Sequence, residues 1–318
     1  MPADAAVAPI RGPSAAIVDN MEASLEIPTA TSVRTLSVKL LTENRTLLNQ
    51  YQRGIGGQKV SFTHLIAFAI VQALKTFPTM FSTFVRDGDK PQHVRPSHVN
   101  FGLAIDTQRR GRRSLLVPNI KGAEQMNFAQ LLASYNEIIQ RARSNKLTVE
   151  DFQNTNVTLT NPGMIGTSLS VPRLMPRQGV IVGIGSIGYP AEFQAISASA
   201  ASKVGLSPVM TVTSTYDHRV IQGAESGAFL AHVAKLLQGE DNFYSRVFED
   251  LHVPHPPYVL SPDSTPRLGN RQQADTELDA IQKQAQVMIL IRLFRVLGHL
   301  QADINLSLIH ISEPTRPY

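Results

Sequence analysis

The chain contains no cysteine. Disulfides, thiolate nucleophiles and cysteine-ligated zinc are thereby excluded, and the absence fits a reducing compartment. A charged-then-apolar leader is also missing from the opening MPADAAVAPIRGPSAA, so no secretory signal is expected. The longest helix-like apolar run, Leu65 to Leu74, is too short for a bilayer, which needs roughly 20 residues. These absences lead us to expect a cytoplasmic protein that does not associate with membranes. Charged residues are only 17% of the chain and the net charge is +5. That mild excess favours an anionic small molecule, and without a dense basic stripe it makes no case for nucleic acid. No internal repeat is present, and no His/Asp/Glu group has metal-ligand spacing. His252 and His255 sit in a proline-rich stretch, and His93 and His98 flank Pro96, so no metal is expected.

What is present suits a globular protein with a sizeable core: 318 residues, 42% of them hydrophobic. Residues 1–13 are rich in alanine and proline, and we expect them to be disordered. From Ser14 the segment AAIVDNMEASL is helix-like and runs into IPTATSVR, which reads as a strand approach. Apolar residues at Phe62, Leu65, Ile66, Ala69, Ile70, Ala73 and Leu74 have helical spacing, with Ser61 available as the N-cap. Val99 to Ile105 and Ser114 to Val117 are strand-like, and Arg86-Asp-Gly-Asp-Lys90 is a turn. The clearest helix is Asn127 to Ser144, with Phe128, Leu131, Leu132, Tyr135, Ile138, Ile139 and Ala142 on one face. Strands follow at Asn156–Thr160, Gly179–Ile184 and Val209–Asp217, then an amphipathic helix over Ala224–Leu237. Several strands adjoin with no helix between them, which argues for a two-layer α/β fold with a mixed sheet rather than a strict parallel array. Residues 251–273 are proline-rich and polar, as a linker would be. Residues 274–305 resume a helical pattern.

Three motifs invite chemistry. Gly183-Ile-Gly-Ser-Ile-Gly188 matches a dinucleotide fingerprint, but Tyr189-Pro190 follows where a helix must open to hold a pyrophosphate. We read these glycines as strand and turn elements. Arg109-Arg-Gly-Arg-Arg113 is a solvated basic turn or, alternatively, a contact to ligand phosphates through Arg110 and Arg112. The third is TVTSTYDHRVIQG, residues 211–223. Strand alternation places Val212, Ser214, Tyr216 and His218 on one face and Thr211, Thr213, Thr215, Asp217 and Arg219 on the other. His218 falls where the strand hands over to a glycine-containing turn and a helix. A second strand end, Thr158-Leu-Thr-Asn-Pro-Gly-Met-Ile-Gly166, supplies hydroxyls. An imidazole and a hydroxyl converging on one cleft would suit acyl transfer, the first taking a proton and the second donating to an oxyanion.

Tyr216-Asp-His-Arg-Val-Ile-Gln-Gly223 resembles the D-H-R-x-x-D-G signature of the acyltransferase (E2) components of 2-oxo acid dehydrogenase complexes. Thr158 to Thr167 is similar to that family's T-x-T-N-x-G-x-x-G loop. The Gln-Gly ending, Ser168–Gln178 and Ser186 to Phe193 point more narrowly to the acyltransferase domain of the actinobacterial fused 2-oxoglutarate dehydrogenase/decarboxylase subgroup. The likeness runs from about Arg11 to about Asn305.

The resemblance implies a chloramphenicol-acetyltransferase-like fold over residues 14–250. It implies transfer of a succinyl group between S-succinyldihydrolipoamide and coenzyme A within a 2-oxoglutarate dehydrogenase system of the tricarboxylic acid cycle. His218 would be the general base and Thr160 the oxyanion donor, with Asn161, Asp217, Arg219 and Gln222 in support. Asp217 and Arg219 are read as buried or interfacial structural partners. Gln222 replaces the family's carboxylate and lacks its charge, so its catalytic weight is in question. Coenzyme A enters as a substrate, and Arg110 and Arg112 are candidates for its phosphates.

The family implies a homotrimer whose active site lies between subunits. The chain has no E-T-D-K-A lipoyl motif, so the lipoyl arm would come from a separate acyltransferase protein. The other implied partners are the decarboxylase (E1) domain and dihydrolipoyl dehydrogenase (E3). Ile291 to Asp303 is similar to the first helical segment of the thiamine-dependent decarboxylase component. We find no GDG followed by paired asparagines, so thiamine diphosphate and magnesium would belong only to a missing part. Leu306–Tyr318 (LSLIHISEPTRPY) matches nothing in the family and reads as an artefactual tail on a fragment. The contrasting expectation is a mainly structural domain that organises the decarboxylase and partner complexes with little chemistry of its own.

Overall fold

The computed structural model describes residues 9–109, 112–203 and 205–260, together with Ala6, Val287 and Ile291. The described residues up to Leu260 belong to one compact unit. The expectations for 274–305 and for the tail at 306–318 therefore fall outside the described residues, apart from Val287 and Ile291, as do most of residues 1–8. The first half of the chain runs α1 (Pro13–Ser24), β1 (Thr29–Ser37), α2 (Lys39–Gly54), α3 (Phe62–Thr76), β2 (Thr83–Asp87), β3 (Lys90–Val94), β4 (Phe101–Leu103), β5 (Ile105–Arg109), β6 (Arg112–Leu116) and β7 (Asn119–Ile120). The second half runs α4 (Phe128–Ser144), β8 (Val157–Thr160), β9 (Val180–Ile184), α5 (Ala198–Lys203), β10 (Val209–Asp217), α6 (Gly223–Leu237) and α7 (Phe243–Asp250).

Helix α3 starts where the sequence places its cap. The Ser61 hydroxyl accepts the His64 N–H at 3.2 Å, and His64 Nδ1 accepts the Ser61 N–H at 3.2 Å, a reciprocal box that satisfies two orphan donors. Leu65, Ile66, Ile70, Val71 and Leu74 are all fully buried. Such a helix, apolar all round, belongs at the centre of a core. It packs against α4 and α6, and α6 packs on β1 and β10. Asn127 caps α4 in the same manner, its side chain accepting the Gln130 N–H at 2.9 Å.

Six strands form one sheet in the order β1-β10-β9-β8-β4-β7. β8 runs parallel to both β9 and β4, and the other neighbours are antiparallel. Two hairpins, β2–β3 and β5–β6, stand apart from it. The mixed-sheet, two-layer expectation is met.

Two local expectations are modified, and one helix, α2, lies where none was expected. The strand expected over Val99–Ile105 breaks at Ala104, whose N–H donates to Leu159 O at 2.9 Å, so β4 stays in the sheet and β5 leaves it for a hairpin. Gly102 lets β4 lie against β8, since a Cβ there would sit 2.7 Å from the Thr155 methyl and 2.8 Å from the Thr158 hydroxyl. Helix α2 has no clear apolar stripe because Asn44, Asn49 and Gln52 occupy buried positions beside Leu40, Leu41 and Leu48. Asn49 pairs with the Val60 backbone in both directions. Asn44 does the same with Tyr258 at 2.9 and 2.8 Å, so the first part of the expected linker is held on α2.

Candidate active site

β10 is a buried strand rich in hydroxyls, and each of its threonine and serine hydroxyls has a partner. Thr215 bonds Thr31 at 2.8 Å, Ser226 of α6 donates to Ser214 at 3.0 Å, and Thr213 donates to Ser170 O at 2.8 Å. These pairings satisfy groups whose burial would otherwise be costly. The strand ends at Asp217, whose carbonyl accepts the N–H groups of Val220 and Ile221 at 3.2 and 3.0 Å.

The Asp217 side chain is 3% exposed and holds this turn together. Its carboxylate accepts the Arg219 backbone N–H at 3.0 Å, Nε at 2.9 Å and Nη2 at 2.7 Å, a two-pronged arrangement that fixes the guanidinium plane. The guanidinium lies over the Phe84 ring of β2, 4.0 Å from its centroid, so cation–π attraction completes the brace. Asp217 and Arg219 thus pair with each other and brace the turn. Phe84 was absent from the sequence reading, because nothing local links it to a turn more than a hundred residues later.

His218 is the residue this brace presents. Its N–H donates to Pro28 O at 3.0 Å, and its ring stands edge-on to Tyr216 at 5.5 Å between centroids. Tyr216 is buried, whereas His218 is exposed, since the strand has already turned at Asp217. Nδ1 lies 3.0 Å from Ile221 O. A carbonyl oxygen only accepts, so Nδ1 carries the ring proton and the neutral imidazole offers its lone pair at Nε2. That is the form a general base needs. Gln222 occupies the N-cap position of α6 but makes no side-chain cap bond, and it is exposed. Its side chain holds neither His218 nor the helix, although its carbonyl accepts the Ser226 N–H at 3.1 Å.

Thr160 ends β8. The Asn161 side chain donates to the Thr63 hydroxyl of α3 at 2.8 Å, anchoring the loop that follows. Two glycines allow that loop to lie on the exit of β9. A Cβ on Gly163 would sit 2.3 Å from the Gly185 carbonyl group, and one on Gly185 would sit 2.0 Å from Ser168 O. The Gly183–Gly188 run therefore serves close backbone approach. The Thr160 hydroxyl is half-buried and has no hydrogen-bond partner among the described residues.

Strand register separates these two groups within one chain. Thr160 is level with Gly183, and Gly183 with Thr213. His218 lies five residues further along β10, at the end where β8 and β9 begin. That is about 17 Å along the strands and about 10 Å across them. The chain does not bring Thr160 and His218 together, and any site using both takes them from two copies. Arg110 lies outside the described residues. Arg112 opens β6 opposite Arg109, and its side chain lies outside them too.

A family model for the catalytic domain of 2-oxoacid dehydrogenase acyltransferases matches residues 2–244. Relatives called multifunctional 2-oxoglutarate metabolism enzyme are 48% identical over 297 residues in Mycolicibacterium vanbaalenii and 47% identical over 297 residues in Mycobacterium sp. strain JLS. The aligned part is 93% of this chain but only 23% and 22% of those proteins, so the chain spans less than a quarter of their length. Among solved structures, a probable dihydrolipoamide acetyltransferase from Listeria monocytogenes superposes with a TM-score of 0.63 at 24% identity, covering 80% of this chain and 100% of that one. The dihydrolipoamide acetyltransferase of Azotobacter vinelandii gives a TM-score of 0.63 at 23% identity, covering 78% and 94%. These two likenesses concern the fold. On the family match and the shared fold together, the chain belongs to the 2-oxoacid dehydrogenase acyltransferase family, through its catalytic domain.

Proposed function

We propose that this member of the acyltransferase family moves a succinyl group between S-succinyldihydrolipoamide and coenzyme A. The observation that carries the reading is the fixed imidazole of His218, protonated at Nδ1 by its bond to Ile221 O and basic at Nε2. In the direction of coenzyme A acylation, Nε2 takes the proton from the coenzyme A thiol. The sulfur forms a bond to the thioester carbon, and the carbonyl oxygen becomes an oxyanion. The Thr160 hydroxyl of a second copy donates a hydrogen bond to that oxyanion. Collapse of the intermediate breaks the bond to the dihydrolipoyl sulfur, which leaves as a thiol with the proton held by His218. The succinyl choice follows the 2-oxoglutarate chemistry in the relatives' name.

The separation of Thr160 from His218 in one chain supports assembly around a site shared between copies, and a homotrimer is the arrangement proposed. The lipoyl arm would come from a separate acyltransferase protein, with a decarboxylase domain and dihydrolipoyl dehydrogenase as further partners. Thiamine diphosphate and magnesium would serve the decarboxylase domain alone. No helix among the described residues is long and apolar enough to cross a membrane, and a cytoplasmic location is part of this proposal. Residues 14–250 would form the acyltransferase domain, with 251–273 a linker and 274–305 the start of the decarboxylase region.

The test is turnover of succinyl-dihydrolipoamide with coenzyme A by wild type and His218→Ala, with assembly size followed in parallel. We expect the assembly to be kept and kcat to fall by about a thousandfold, within the range for a positioned base. An unchanged rate sinks the proposal.

A second reading is favoured by Gln222, whose neutral side chain is exposed and makes no hydrogen bond among the described residues. In it the domain is a scaffold that organises the decarboxylase and partner complexes. Normal assembly with no measurable acyl transfer by the wild type would establish that reading instead.

A further inference from the structure

A cavity of about 540 Å³ opens where α1, the end of β6 and the approach to β9 meet. Ile17 and Met21 of α1, Leu116 of β6 and Phe152 give it apolar walls, and Arg177 and Gln178 close one side. The volume lies within the range of small-molecule sites, which pair apolar walls with a few placed polar groups. Gln178 is already engaged: its Oε1 accepts the Thr158 hydroxyl at 3.0 Å. Arg177 is not. It is the one cationic residue lining the cavity, and it makes no ion pair or hydrogen bond among the described residues. Its backbone is left-handed, with φ 66, a conformation glycine adopts freely and a side-chain-bearing residue only at a cost of about 1 kcal/mol. An exposed guanidinium is therefore carried on a strained backbone position at the edge of an apolar cavity, with no ion pair among the described residues.

The cavity lies at the His218 end of the sheet. Gly179, two residues after Arg177, accepts the Asp217 N–H at 3.2 Å and donates to Asn156 O at 2.9 Å. The segment bearing Arg177 thus runs directly into the strand position beside the turn that presents His218.

We propose that this cavity receives the acyl chain and that Arg177 binds its terminal carboxylate, which selects dicarboxylic over monocarboxylic acyl groups. The choice of ligand rests on the acyl-transfer reading above. A short methylene chain suits the apolar walls, and one carboxylate matches one guanidinium. The phosphates of coenzyme A carry several charges and would leave most of them unmatched by a single arginine.

The test uses the whole chain and two amide probes, N-ethylsuccinamate and the uncharged N-ethylbutanamide, with binding followed by ligand-observed NMR. Arg177→Gln and Arg177→Lys are compared with wild type, their folding checked by thermal midpoint. We expect wild type to prefer the succinamate, Arg177→Gln to lose about tenfold or more of that affinity, and Arg177→Lys to recover part of it. Butanamide binding should not change. The proposal is overturned if wild type does not discriminate between the probes or if Arg177→Gln binds the succinamate as wild type does. It is equally overturned if Arg177→Gln weakens coenzyme A and not the succinamate, since the arginine then serves phosphates. Because the probes cannot react, this result is independent of turnover. A wild type that discriminates between the probes but transfers no acyl group would sink the function proposed above and leave the cavity assignment standing.

Discussion

The two strand ends that carry the candidate chemistry are built by opposite means. At the His218 end, side chains do the positioning: Asp217 grips Arg219, Arg219 lies on Phe84, and Ile221 O orients the imidazole. At the Thr160 end, backbone does most of it: Gly163 and Gly185 let two loops touch, and Asn161 sends a side-chain bond back to Thr63 of α3. The first arrangement presents a base to solvent. The second leaves a hydroxyl unpartnered at the far end of the sheet. In the proposed function each is half of an acyl-transfer site, and the register keeps the halves apart, so one chain is expected to be inactive by itself.

Mixing variants breaks or upholds that comparison with the largest effect. His218→Ala and Thr160→Val are each expected to lose about a hundredfold or more in kcat, one lacking the base and the other the oxyanion donor. If the halves come from different copies, unfolding and refolding an equal mixture should regenerate intact sites. Random pairing in a closed oligomer would restore about a quarter of wild-type turnover. A mixture no more active than its components would mean that both groups act within one chain, against the register.

Legibility differed between the ends for the same reason. Strand alternation, the helix start and the D-H-R pattern lie within thirteen residues, so the His218 turn could be read from its own stretch. The cap of α3 was equally local. That Thr160 stands level with Thr213 depends on two successive pairings, Thr160 with Gly183 and Gly183 with Thr213, and no local pattern encodes them. Helix α2 escaped notice because Asn44 and Asn49 fill core positions by bonding to distant backbone. Arg177 gave no signal either, since its interest lies in a cavity made with α1 and β6. The basic turn at Arg110 and Arg112 is legible as charge alone.

Acid should loosen the Thr160 end before the His218 end. His64 shares the first turn of α3 with Thr63, the anchor of Asn161, and its ring stands edge-on to Tyr135 at 4.5 Å. Burial pushes its pKa down to about 4 from an ordinary 6.5. The unfolded chain therefore takes up a proton first as pH falls. The stabilising contribution is whole above pH 6.5 and disappears progressively toward pH 4, at most about 3 kcal/mol. His64→Gln keeps a capping side chain but cannot titrate. Denaturant midpoints measured from pH 7 to 4 should slope for wild type and flatten for the variant. Parallel slopes would show that His64 is not the group responsible. Amide exchange over the same range should rise around Asn161 before it rises around Ile221.

The smallest effect expected is at Asp217, and it separates bracing from chemistry. Asp217→Asn keeps the size of the side chain but removes the charge and one acceptor oxygen, so the fork to Arg219 cannot form in full. A charge-assisted bond lost at a buried site costs about 2 kcal/mol, and the thermal midpoint should fall accordingly. If the brace also aims the imidazole, kcat should drop by about tenfold or more with KM little changed, because a base misplaced by an ångström forfeits rate while substrate still binds. Arg219→Lys supplies the contrast: it retains the charge, loses the fork and the stacking on Phe84, and should weaken stability and kcat together. Should either variant lose stability with kcat intact, the Asp217–Arg219 pair would be a fold element only. The orientation of His218 would then rest on Ile221 O and Pro28 O alone, which brings it closer to the backbone-built arrangement at Thr160.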